Sequence, residues 1–338
     1  MNDGAAGEEP TGGSASSPQD PPAARTVFFG SGSFAVSLLD ALVAIPRVRV
    51  EAAVSAPDRP VGRKAVLTPT PVAVRVRELG LPLLQPVRVR GAESVAALQA
   101  LAPDLAILAD YGQLIPRVLL DLPPRGFLNL HPSALPRHRG ASPIPATILA
   151  GDTEAAVTLI VLSEEMDAGP IVAVEPLDVR AEDTAVTLEE RAAEAAARLL
   201  ARALPEWLAG RLTARPQPEE GITLTRPLRR EDGRLDPNRP AVELERQIRA
   251  YQPWPGSYIQ SENTGGERLI VWKAHVAPSQ PGDRVGGFGP PSVPLVTSSE
   301  APFIGTIDGR LVLDRLQRAG GREMGAEEYL RGHPDLGR

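Results

Sequence analysis

Asn129 and His131 are two polar residues placed two apart, directly after the apolar run Gly126-Phe127-Leu128. Successive side chains of a strand point to opposite faces, so this pair shares one face. At the carboxyl end of a parallel strand, where such sheets build their sites, both can meet one reacting atom. An amide donor beside an imidazole suits acyl or formyl transfer: one group holds the oxyanion of a tetrahedral intermediate and the other moves the proton. Packing offers another reading, a buried histidine tied to a backbone carbonyl with the asparagine closing a turn. The residues that follow count against it. Pro132-Ser133-Ala134-Leu135-Pro136-Arg137-His138-Arg139-Gly140 is a polar loop punctuated by proline, and loops at strand ends carry function.

Asp167 lies in Glu164-Glu165-Met166-Asp167-Ala168-Gly169-Pro170, between two apolar segments. An Asp before Ala-Gly is ordinarily a turn residue, but a loop joining two core strands can return it to His131. A carboxylate there would orient the imidazole and favour its charged form. Gly30-Ser31-Gly32-Ser33-Phe34-Ala35 follows a strand and opens a helix, and Glu51 sits about twenty positions on, as in a dinucleotide-binding turn. Glu51 falls inside the strand Val48–Val54 rather than at its end, so a tight strand-to-helix turn is the better reading. Ala56-Pro57-Asp58-Arg59-Pro60-Val61-Gly62-Arg63-Lys64 is a basic insertion, either a solvated loop or an arm that grips phosphates. The aromatics and prolines from Tyr251 to Tyr258 read as a domain-anchoring cluster, Trp254 included. Arg226, Arg229, Arg230, Arg246 and Arg249 lie near enough in the chain to form a basic face.

The elements that must hold these groups follow from periodicity. Val27-Phe28-Phe29-Gly30 reads as a first strand, with a helix over Ser33–Ala44 and a second strand over Val48–Val54. Helical spacing covers 71–79 and 92–101, with a short strand at Leu83–Leu84 between them. Leu105–Ala109, 127–130, 156–162 and 171–174 read as buried strands, and a long helix over 187–210 follows. Strands alternating with helices predict a doubly wound α/β domain over 25–210, a parallel sheet covered on both faces. Residues 211–225 read as a linker. Over 226–338, a helix at 241–251 and short strands at 256–260, 268–276, 302–307 and 310–313 predict a small β-barrel. Its segment 278–300, rich in Gly, Pro and Ser, reads as a mobile surface loop.

Composition narrows the chemistry. A chain of 338 residues, 42% hydrophobic, has material for two cores. It contains no cysteine, which removes disulfides, thiolate nucleophiles and cysteine-held metals, and no metal site is expected. Net charge is −6, unlike a strongly basic nucleic-acid binder, so any contact with nucleic acid must be local. No apolar run reaches membrane-spanning length. Residues 1–24 are rich in Gly, Ser, Pro and Ala with four acidic and no basic residues, the composition of a disordered leader. They have the marks of neither a secretory nor a mitochondrial signal, and the protein is expected in the cytoplasm.

Together these residues resemble the methionyl-tRNA formyltransferases, from about residue 25 to about residue 336. The Asn-x-His-x-Ser-x-Leu-Pro-x-x-Arg-Gly loop and the Asp-Ala-Gly-Pro-Ile turn belong to the wider folate-dependent formyltransferases. Pro57-Asp58-Arg59-Pro60 and Gln252-Pro253-Trp254-Pro255-Gly256 carry the narrower likeness. The resemblance implies a Rossmann-like catalytic domain followed by an OB-like barrel. It also implies 10-formyltetrahydrofolate as donor and the free amine of methionyl initiator tRNA as acceptor. On it, Asn129, His131 and Asp167 fall on the catalytic trio, and Ser133, Ala134, Leu135 and Pro136 on the folate-contacting loop. Arg59, Arg63 and Lys64 fall on the tRNA-gripping insertion, Phe34 on the methionine pocket, and a monomer is implied.

Three departures stand out: Gly30-Ser31-Gly32-Ser33-Phe34 where the family commonly has Gly-Thr-Pro-x-Phe, Asp110 where a small apolar residue is common, and a shorter, less basic insertion near Arg63. The same trio serves formyltransferases acting on glycinamide ribonucleotide or on sugar nucleotides and formyltetrahydrofolate hydrolase-type domains. The barrel counts against the first, and the Pro57–Pro60 insertion against the others. Outside formyl transfer, a nucleotide-binding oxidoreductase or a catalytically silent tRNA-binding module are the alternatives.

Overall fold

Short apolar runs closed by Gly, Pro and polar residues set the strands of the first sheet, and helices of 3.6-residue periodicity fill the intervals. The computed structural model describes residues 22–62, 65–260, 268–280, 295–297 and 302–332. The chain runs through β1 (Ala24–Gly30), α1 (Ser33–Ala44), β2 (Val48–Val54), a hairpin of β3 (Arg59–Val61) and β4 (Val66–Thr68), α2 (Pro71–Glu78) and β5 (Leu83–Leu84). It continues through α3 (Ala92–Ala100), β6 (Leu105–Ala109), α4 (Arg117–Leu120), β7 (Phe127–His131), β8 (Arg139–Gly140) and α5 (Pro143–Ala150). Next come β9 (Glu154–Val161), β10 (Ile171–Asp178), α6 (Ala185–Leu208), β11 (Leu224–Thr225) and α7 (Ala241–Ala250). The last elements are β12 (Ser257–Gln260), β13 (Arg268–Ala277), β14 (Leu295–Thr297), β15 (Pro302–Gly305), β16 (Arg310–Arg318), β17 (Glu323–Gly325) and α8 (Ala326–Gly332).

The first sheet has seven strands in the order β10-β9-β7-β6-β1-β2-β5. From β5 to β7 every pairing is parallel. The order reverses at β1, which opens a crevice between the carboxyl ends of β1 and β6, the usual ligand position in such sheets. Alternation within β1 shows how both faces are covered. Phe28 packs with α1, α2 and α6, while Val27 and Phe29 pack with α3 and α4.

The parallel run stops at β7, since β9 pairs antiparallel with β7 and β10 antiparallel with β9. Nine residues separate β9 from β10, too few for the crossover that a parallel pair requires.

The second sheet is antiparallel, β12-β13-β16-β15-β14 with β17 on β16, and its path is open among the described residues. Register shifts near Lys273 bend β13, so the predicted barrel takes the form of a bent sheet. Its concave core holds Leu235, Leu269, Val271, Leu311, Leu313 and Leu316. α7 joins the two cores: Leu244 and Ile248 belong to the second and Ala250 to the first.

The predicted leader lies outside the described residues up to position 21, and Ala24 already opens β1. Most of 278–300 lies outside them too, but 295–297 forms β14, paired with β15. Residues 211–225 fold back against the first domain: β11 pairs in parallel with β8, and Arg215 exchanges two backbone hydrogen bonds with Ile171, of 2.7 and 2.8 Å.

Candidate active site

β7 lies between β6 and β9, with Asn129 across from Leu108 and Ile160, and His131 across from Thr158. Alternation commits Leu130 to the main core. Asn129 and His131 are 4% and 5% exposed and line a cavity of about 550 Å³. The shared face expected of the pair is present.

Asp167 arrives from the β9–β10 connection with left-handed backbone, φ 51°. The connection is drawn tight at Gly169, where a Cβ would stand 1.7 Å from the Val161 carbonyl oxygen. Asn129 Nδ2 donates to Asp167 Oδ1 at 3.2 Å, and the Gly140 N–H donates to Oδ2 at 2.8 Å. The same Oδ2 stands 3.6 Å from His131 Nδ1, beyond direct hydrogen-bond length. His131 Nε2 is 2.9 Å from the His138 carbonyl oxygen. A carbonyl only accepts, so Nε2 carries a proton and Nδ1 is the ring atom turned to Asp167. The three residues are thus gathered at one wall.

The other walls come from Phe34 in the first turn of α1, the 110–115 segment after β6, the entry to α5, and Glu189 of α6. Among the described residues the charged lining consists of Asp110, Glu164, Glu165, Asp167 and Glu189, with His131 and no arginine or lysine. Asp110 opens onto the cavity while protein crowds its other sides. Burial, then the charge of Glu189, push its carboxyl above the usual range, and the Gly32 N–H partly opposes them. A Cβ on Gly32 would stand 1.7 Å from Asp110 Oδ2. The turn that resembles a dinucleotide fingerprint is therefore filled by a carboxylate. Glu51 is in mid-strand, bonded to Arg49 at 2.6 Å.

Ser133, Leu135 and Pro136 are buried and Ala134 half-buried, and none of the four lines the cavity. Ser133 Oγ donates to the Arg137 carbonyl at 2.6 Å, and Thr158 Oγ1 donates to the Ser133 carbonyl at 2.7 Å. Their observed work is to shape the loop that presents the His138 carbonyl and the Gly140 N–H. The cavity wall is instead the 110–115 segment, which the rule of sites at strand carboxyl ends could have indicated. Phe34 is buried and lines the same cavity as Asn129 and His131.

Arg59 sits exposed on the β3–β4 hairpin, and Arg63 and Lys64 lie outside the described residues. Trp254, read as an anchor, is 53% exposed with the Arg230 guanidinium 5.9 Å from its ring. The turn between α7 and β12 carries it outward, and Ile248 and Tyr258 are the buried groups there. In the expected basic face, Arg226 pairs with Asp232 and Arg249 with Glu245, which removes two of the five charges. Among the described residues no group of His, Cys, Asp or Glu side chains is arranged to hold a metal ion. No described helix is long and apolar enough to cross a membrane. Residues that sequence reasoning missed are Gln217, Thr223 and Thr225, whose bonds reach the loops around Asp167 and Arg139.

Comparison with known proteins bears on this arrangement. Residues 24–204 match the formyl transferase family model, and residues 227–334 match that of the formyl transferase C-terminal domain. A methionyl-tRNA formyltransferase of Halorhodospira halophila is 43% identical over 92% of this chain and 96% of its own. One from Thermus thermophilus is 41% identical over 91% and 96%. Among solved structures, an N-formyltransferase from Helicobacter canadensis, in complex with folinic acid and dTDP-3-aminofucose, superposes with TM-score 0.62 at 15% identity, over 87% of this chain and 99% of that one. That likeness is one of fold. By the two family models and by relatives of this identity and coverage, the chain belongs to the formyl transferases, among the methionyl-tRNA formyltransferases.

Proposed function

We propose that the protein transfers the formyl group of 10-formyltetrahydrofolate to the free amine of methionyl initiator tRNA, with Asn129, His131 and Asp167 as its catalytic residues. The observation that carries this reading is the convergence of an amide, an imidazole and a carboxylate on one wall of a cavity at the carboxyl ends of β6 and β7. Apolar walls such as Leu108, Ile115 and Leu162 with a few polar groups suit a flat, hydrogen-bonding ligand such as a pterin.

The acceptor amine must be neutral to attack the formyl carbon, which becomes tetrahedral as its oxygen gains charge. A primary amide has two N–H donors. Asn129 uses one on Asp167 and can turn the other to that oxygen. His131, once charged, donates from Nδ1 to the same oxygen. Each such donor is typically worth ~3 to 4 kcal/mol in the transition state. Asp167 holds Asn129, the His138 carbonyl holds the His131 ring, and Asp167 takes the amine's proton through a water. That proton passes on to the departing nitrogen of the folate as the tetrahedral centre collapses and the bond from the formyl carbon to that nitrogen breaks. The chain has no cysteine, and the direct route needs no covalent intermediate on the protein.

An acceptor made of tRNA implies the cytoplasm. A trio drawn from one chain lets a monomer suffice. The test is formyl transfer to methionyl initiator tRNA with elongator methionyl-tRNA alongside. Transfer to the initiator alone supports both chemistry and acceptor. No transfer to either, with transfer to an amino sugar nucleotide, would overturn the acceptor and keep the trio. In Asn129→Ala and Asp167→Asn, turnover is expected to fall by about 10²- to 10³-fold with tRNA binding retained; undiminished turnover would remove the residue from the trio.

A further inference from the structure

The two family models end at residue 204 and resume at residue 227. The stretch between them does more than connect. It crosses both loops that build the proposed site, tied to Ile171 through Arg215 and to the 138–142 turn through Thr223 and Thr225. Gln217 sits at the crossing. Its Nε2 donates to the Asp167 carbonyl at 2.7 Å and to the Gly169 carbonyl at 2.8 Å. Its Oε1 accepts from Arg139 Nε at 3.0 Å and Nη2 at 2.7 Å. The amide's two N–H donors and its acceptor oxygen are all engaged.

We propose that Gln217 is a positioning residue for formyl transfer, and that residues 215–225 form a strap that sets Asp167 against Asn129, His131 and Gly140. The proposal rests on the reading of the trio given above. Asp167 is the least self-supporting member of that trio. It comes from a loop, and its left-handed backbone is one a non-glycine residue holds only where its surroundings fix it. Gln217 grips that backbone from behind while the carboxylate faces forward. Through Arg139 it also fixes the neighbour of Gly140, whose N–H meets Asp167 Oδ2. Gly140 has φ 108°, and a Cβ there would stand 2.3 Å from the Thr225 carbonyl oxygen. The strap therefore lies against the turn so closely that only glycine fits. A 3.6 Å separation between Asp167 and His131 leaves little slack, and misplacing a group by about 1 Å can cost about 100-fold in rate.

Two variants of the full chain separate alignment from mere stability. Gln217→Met keeps the length of the side chain and loses every bond. Gln217→Glu keeps an acceptor for Arg139 and loses the donors to Asp167 and Gly169. Both are expected to lower kcat by about 10- to 100-fold with little change in KM for methionyl-tRNA. In both, hydrogen exchange of the Gly140 amide should accelerate while that of Leu130, in the core of β7, stays as it was. Unchanged kcat and unchanged Gly140 protection overturn the proposal. So does a lower melting temperature with neither of those effects. If the wild-type chain transfers no formyl group, the reading of function falls separately, and the Gly140 amide still decides whether Gln217 sets Asp167.

Discussion

Asp110 and Gly32 behave as one unit, since the carboxyl fills the space that any side chain at position 32 would need. Gly32→Ala is therefore expected to swing the Asp110 carboxyl aside toward the open cavity, at a cost of about 1 kcal/mol. Adding Asp110→Gly, which removes the carboxyl and suits the left-handed backbone there (φ 47°), should recover most of it, a coupling that denaturant melts of the two singles and the double would measure. The carboxyl also has a pH signature. Its pKa is raised in the folded state by burial and by Glu189, so the fold binds the proton more tightly than the unfolded chain does. That contribution is complete below the ordinary carboxylate pKa and is lost as pH rises through the raised one. Asp110→Asn should thus match the wild type in acid and exceed its stability near neutrality, as parallel urea melts across pH would show. Each member of this pair is visible in the sequence as a departure from its family, and only the structure shows that they touch. That Asn129, His131 and Asp167 would converge was legible because strand alternation and loop placement are local rules. That the side chains of Ser133–Pro136 would turn away from the cavity was not, because membership of a motif does not say which way a loop faces.

Among the elements, the β9–β10 connection does most to build the site. Gly169 lets it turn back against Val161, and Gly169→Ala should displace Asp167 and lower turnover even where the fold survives. Activity and near-ultraviolet circular dichroism together would separate those effects. α6 begins with a reciprocal cap, Thr184 and Thr187 each bonding the other's backbone. Thr184→Ala should lower stability by about 1 kcal/mol with turnover unchanged, measured by denaturant titration beside a rate assay. The strands and long helices were readable because their apolar spacing is regular. The reversal at β9 was implicit in a connection too short for a crossover. α5 escaped notice because Pro143 and Pro145 look like breakers, although proline is welcome in a helix's first turn. The β8–β11 ladder has two residues a side and leaves no periodicity to read.

For the whole molecule, α7 places leucine and isoleucine in one core and alanine in the other, and Arg249 donates to the Asp183 carbonyl at 2.9 Å across the junction. The helix itself was readable from its apolar spacing, but neither its bridging of the two cores nor the strap's hold on the site loops could be, since both roles are defined by what they touch. The net charge of −6 says little about acceptor binding; where the charge lies says more. Among the described residues the cavity presents carboxylates and one histidine and no arginine or lysine, so this lining has nothing for the phosphates of a tRNA, while an ammonium is welcome within until it gives up a proton to react. Formylation turns that amine into an amide that no longer takes a proton. Formylmethionyl-tRNA is expected to bind more weakly than methionyl-tRNA, and the gap should narrow at high salt and in Asp110→Asn. Equal affinities at low salt would refute this. A wall that attracts the reactant's charge has no hold on an uncharged product, so each turnover would empty the site by erasing the feature that filled it.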